Sequence, residues 1–155
     1  MIQMLGSSCP KEIRSDRFET LLVSQTAVGT QTIATDGPTA WVKFVGQFTA
    51  ADVEDFLTAF RREVDPQAVI RFVVGDTTAV TGTASDIHKP SQSVLKHFKQ
   101  RGVEELLIVM PNPILGMIVR TTAFVSGLPT RVVTSNAAAR DYVQKKLGQT
   151  AARAS

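Results

Sequence analysis

One cysteine, Cys9, occurs in the 155 residues, so no internal disulfide can form. A lone thiol fits a reducing compartment, and a cytoplasmic location is the expectation. No apolar run reaches the roughly 18 residues that a membrane-spanning helix needs. Aromatic residues make up only 6%. Charge of one sign is not gathered either, since the net +3 comes from 17 basic and 14 acidic residues spread along the chain. That spread disfavours nucleic-acid binding, which concentrates Lys and Arg on one face. The sequence has no P-loop, dinucleotide glycine fingerprint or nucleophile elbow. His88 and His97 lie nine residues apart with no Cys or carboxylate at ligand spacing, so they read as two surface histidines. No metal and no cofactor is expected.

What is present suffices for one domain. At 43% hydrophobic residues, a chain of this size typically buries about 68–70% of its unfolded surface. Leu5, Gly6, Ser7, Ser8 and Cys9 loosely echo a lipoprotein cleavage box, but no basic segment or apolar stretch precedes them. Residues 1–17 are therefore taken as an N-terminal arm, 18–148 as the domain, and 149–155 as a flexible tail after Gly148.

Periodicity places strands at 19–25, 28–34 and 40–46, the last two joined through Asp36, Gly37 and Pro38. Thr49 with Asp52 three residues on marks a helix start, and Val53, Phe56, Leu57, Phe60 and Val64 share its apolar face. Val69–Gly75 and Glu105–Met110 read as strands buried on both faces. Between them, Ser91, Val94, Leu95 and Phe98 line a helix that Gly102 stops, and Pro90 makes residues 85–90 a loop or broken turn. A helix from Pro113 to Ser126, a strand at Thr130–Thr134 and a helix from Ser135 to Gly148 complete the order. The expectation is an α/β fold with a mixed sheet: antiparallel N-terminal strands, six strands in all, and about four helices, with parallel neighbours where helices alternate with strands.

From Ala40 to Leu147 the chain resembles a STAS domain, the fold of anti-sigma-factor antagonists. The resemblance rests on Val45 to Thr49 before the first helix, Phe72 to Asp76, Arg101 and Gly102 before a buried strand, Pro111 to Pro113, Ser126 to Leu128, and Ser135 to Ala139. It implies a mixed-sheet STAS fold and a non-catalytic signalling module that binds a kinase-like or anti-sigma protein partner. In that family the switch is a phosphorylated Ser or Thr in an Asp-Ser-Ser-Gly-like loop before the second helix. Here the segment reads Val80 to Asp86, without that order, and the matching phosphoacceptor candidates are Ser85 and then Thr83. The reading from the residues alone is that Ser85 is an ordinary helix cap, with Asp86 as a first-turn acid.

Asp76, Thr77 and Thr78, with Asp86 and His88, form the candidate partner- or ligand-binding loop, because open α/β sheets place ligands at the carboxyl ends of strands. A phosphoryl-transfer enzyme would want a second aspartate two residues after Asp76, where Thr78 stands. An enzyme would need Asp76, Asp86 and His88 in one cleft, and no catalytic residue is assigned. In the helix from Pro113, Met117, Arg120 and Phe124 make a candidate interface for a protein partner or a second copy. The alternative function is a small-molecule, nucleotide or lipid-binding STAS-like domain.

Overall fold

Residues 19–25, 29–67, 69–83, 85–110 and 127–154 are described by the computed structural model. β1 (Glu19–Gln25) pairs antiparallel with β2 (Gly29–Asp36), and β2 with β3 (Thr39–Phe48). Asp36 faces Thr39 across a two-residue link in which Gly37 has φ 58°, the first-position geometry that type II′ hairpins reserve for glycine.

At Thr49 the chain turns into helix α1 (Ala50–Ala59) through a capping box. Thr49 Oγ1 accepts from Asp52 N at 3.3 Å, while Asp52 Oδ2 accepts from Thr49 N at 2.9 Å. Such a cap is worth about 1 kcal/mol. Val53, Phe56, Leu57, Phe60 and Val64 are buried as their spacing predicts. The helix closes in a π turn, Phe60–Val64, with Asp65 N donating to Phe60 O at 3.0 Å.

Beyond it come β4 (Phe72–Thr83), a 3₁₀ turn (Ser85–Ile87), α2 (His88–Gln100), β5 (Glu105–Val109), β6 (Thr130–Val133) and α3 (Asn136–Ala154). β3 to β6 are parallel, and the sheet runs in sequence order from β1 to β6. α2 ends in a Schellman arrangement. Val103 N donates to Phe98 O at 3.0 Å, Gly102 N to Lys99 O at 3.2 Å, and Gly102 takes φ 87°.

The pleat divides the core in two. On one face Ile33, Val42, Val73 and Leu106 meet α1 and α2, where Phe44, Phe48, Phe56, Phe60 and Phe98 form a chain of edge and tilted ring contacts. Five of the ten aromatic residues thus share one face of the sheet. On the other face Phe72, Val74, Leu107 and Val109 pack against Ala139 and Val143 of α3. Each large aliphatic or aromatic side chain so buried contributes about 1.5–3 kcal/mol.

Several expectations need correction. β4 begins at Phe72, not Val69, which is 80% exposed, and it continues past Gly75 to Thr83. Its second half keeps a ladder partner, because Ala79 to Thr83 pair with Val45 to Phe48 through two register shifts. Asp76, Thr77 and Thr78 therefore lie in a strand and not in a loop. Residues 85–87 form a 3₁₀ turn that leads directly into α2 and 88–90 are its first residues, since Pro90 falls in the first turn, where its missing N–H costs nothing. α3 runs through Gly148 to Ala154. One interior glycine costs about 1 kcal/mol, which the helix formers around it, Ala151, Ala152 and Arg153 among them, offset. Among the described residues there are three α-helices where about four were expected, and the expected helix Pro113–Ser126 lies outside those residues.

Candidate functional site

Two stretches of β4 and its continuation carry the predicted site residues. The first is Asp76, level with Lys43 on β3 and Val109 at the end of β5. Its side chain is buried on the α3 face. Oδ1 accepts from Thr78 N at 2.9 Å and Thr78 Oγ1 at 2.6 Å, and Oδ2 accepts from Asn136 Nδ2 at 2.8 Å. Thr77 Oγ1 donates to Val109 O at 2.8 Å, tying β4 to β5. Burial alone would raise the Asp76 carboxyl. The hydrogen bonds from Thr78 and Asn136, with the charge of Lys43, outweigh it and hold the group below the ordinary carboxylate range.

Asn136 opens α3 immediately after Ser135, whose Oγ accepts from Ala138 N at 3.1 Å as the predicted cap. Asp76 thus clamps a central strand to the start of the last helix. With hydrogen bonds to both oxygens, its carboxylate acts as a tether. Sequence reasoning missed Asn136 and Lys43 as its partners; the only signal was that Asp76 directly follows the expected strand Val69–Gly75 and Asn136 stands at a helix start.

The second stretch is the link from β4 to α2. Thr83 ends β4 opposite Phe48, Ser85 and Asp86 lie in the 3₁₀ turn, and His88 is the first residue of α2. Asp86 is exposed. The α2 start has no side-chain cap and no acid in its first turn, which carries Lys89 instead. Seven residue steps separate Asp76 from Thr83, roughly 20 Å along a strand. The structure therefore does not gather Asp76, Asp86 and His88 into one cluster. Met117, Arg120 and Phe124 lie outside the described residues, as does the arm 1–17.

His97 is not a surface histidine. It is buried where α2 packs on the π turn, with Nε2 2.6 Å from Asp65 Oδ2 and Nδ1 3.4 Å from Arg61 Nε. Arg101 flanks the same carboxylate at 3.7 Å. The π turn supplies both Arg61 and Asp65, and nothing in the residue spacing announced it. No group of three or more metal-ligating side chains converges among the described residues.

The architecture, one six-stranded sheet with two antiparallel pairings followed by three parallel ones and with helices on both faces, is the SpoIIAA-like STAS fold. Three solved structures are similar to it. An uncharacterized protein of the DUF3478 family with a SpoIIAA-like fold, from Shewanella loihica PV-4, matches with TM-score 0.58 at 16% identity over 77% of this chain and 96% of that one. The anti-sigma factor antagonist SpoIIAA in its unphosphorylated form matches with TM-score 0.54 at 11% identity over 81% of this chain and 98% of its own. An anti-sigma factor antagonist from Mycobacterium paratuberculosis matches with TM-score 0.53 at 15% identity over 78% and 98%. At these identities the likeness is one of fold. No protein-family model matches the chain, and no curated protein matches it in sequence. No helix among the described residues is long and apolar enough to cross a membrane.

Proposed function

We propose that the chain is a non-catalytic protein-interaction module whose binding surface includes the β4–α2 link and the adjoining helix, and that phosphorylation of Ser85, or secondarily Thr83, switches it. The observation that supports this reading is the position of Ser85: it opens the turn into α2 in a fold shared with anti-sigma factor antagonists. The partner would be a kinase-like or anti-sigma regulator. A phosphate there adds about −1.5 to −2 charges, placing a solvated dianion where a close-fitting surface would otherwise dock. Binding would be lost without unfolding the module. The uncapped start of α2 fits such a role, because negative charge near a helix N-terminus is stabilising. A ligand-binding use of Asp76 is less well supported, since Thr78 and Asn136 already satisfy its carboxylate.

Intact-mass analysis of the protein from its own cells, with pull-downs of wild type, Ser85→Ala and Ser85→Asp, tests the reading. The expected result is a phosphate on Ser85 or Thr83 and a partner kept by Ser85→Ala but lost by Ser85→Asp. An unmodified protein whose partners ignore both substitutions would overturn it.

A further inference from the structure

Two sets of cations among the described residues differ in their surroundings. Arg62, Arg71, Arg101 and Arg131 each meet a carboxylate, on Glu63, Glu104, Asp65 and Glu105 respectively. Lys89, Lys96 and Lys99 of α2 are exposed and have no carboxylate partner among the described residues. Helix α2 contains no acidic residue at all. Among its described side chains the exposed ones are Lys89, Ser93, Lys96, Lys99 and Gln100. Lys89, Ser93, Lys96 and Gln100 repeat at helical spacing on one stripe, and Lys99, whose amine passes over Gly127, borders it. From Lys89 to Lys99 the strip extends about 15 Å.

We infer that this lysine strip on α2 is the docking surface for an acidic segment of a protein partner. The inference rests on the interaction-module reading above and gives that partner its chemistry. Charge complementarity selects an anion, and the surroundings select its kind. The strip exposes no apolar side chain that could enter a bilayer. Beside it, α1 packs on the same face of the sheet and exposes Glu54 and Asp55. A bilayer or a nucleic acid broad enough to cover both helices would press its own negative charge on those acids. A peptide segment about one helix wide, roughly 10 Å, lies along α2 without meeting them. A phosphate on Ser85, one turn before Lys89, would place negative charge beside the strip and compete with the same segment.

Titration of the full chain with a fluorescein-labelled poly-glutamate peptide, followed by anisotropy and by amide chemical shifts, tests this. The expected result is shifts concentrated in 85–101, binding that weakens with salt, and an affinity about tenfold or more lower in the Lys89→Gln, Lys96→Gln, Lys99→Gln triple variant. Lys145→Gln on α3 serves as a folded control that keeps the affinity. Shifts centred elsewhere, or a triple variant that binds unchanged with native circular dichroism, would overturn the inference. So would phosphatidylserine vesicles or a DNA duplex that binds α2 more tightly than the peptide at equal charge concentration. Failure of this inference is separable from failure of the switch. A native partner lost by Ser85→Asp but kept by the triple variant sinks the strip alone, whereas a partner lost by the triple variant but kept by Ser85→Asp sinks the switch alone.

Discussion

Two places along one strand are treated in opposite ways. At Asp76 every polar group is taken: both carboxylate oxygens are bonded, Thr77 holds β5, and Asn136 draws in α3. At the far end of the same strand, α2 begins with no side-chain cap and with Lys89 in its first turn. α1 and α3, by contrast, begin at the Thr49 and Ser135 caps. Saturated polar groups hold a fold together. An uncapped helix start and unpaired charge are where a further group can add stability, and the proposed interaction surface is placed there, beyond the end of β4, while the clamp lies within the strand.

The sharpest way to break this contrast is at the clamp. Asp76→Ala should lower unfolding free energy by about 2–3 kcal/mol, the cost of removing a charged, buried acceptor and leaving its donors unmatched. Urea denaturation measures it. Because the folded carboxyl sits below its ordinary value of 3.8, its contribution is present above that pH and fades as pH falls through 3.8 toward the lower folded value. Wild type should therefore lose more stability than Asp76→Ala on acidification to that range, and parallel curves would show that the clamp carries no linked charge.

Smaller effects separate the capped from the uncapped helices. Thr49→Ala should cost about 1 kcal/mol, and Ser135→Ala a similar or smaller amount, by the same denaturation measurement. Lys89→Glu should do the reverse and raise stability by about 0.3–0.5 kcal/mol, since it exchanges a cation for an anion in the first turn of α2. A Lys89→Glu variant with a lower melting temperature would show that the α2 start is already stabilised.

Much of this was legible from the residues. The Gly37 hairpin, the Thr49 and Ser135 caps, the Gly102 stop and the buried stripe from Val53 to Val64 each carry a local chemical signature, and each stands where it was expected. The length of β4 was not legible, because Ala79 to Thr83 are strand only by virtue of their ladder with Val45 to Phe48, which a single stretch of sequence does not announce. The partners of Asp76 stayed hidden for the same reason: Asn136 is 60 residues away and arrives through tertiary packing. His97 was misplaced on the surface because its burial depends on the π turn, and a π turn has no strong residue preference to betray it.

That turn also makes the chain count its residues. Phe60–Val64 closes on the i to i+5 bond from Asp65 N to Phe60 O, one residue more than an α-turn holds. Deleting a single residue there would restore regular helix and swing everything after it by about 100° around the axis. Asp65 would leave His97, and Arg61 could not hold the other ring nitrogen. Between Phe60 and Asp65 the length of the chain is therefore constrained along with its side chains, and a one-residue gap within this segment would mark a different α1–α2 contact.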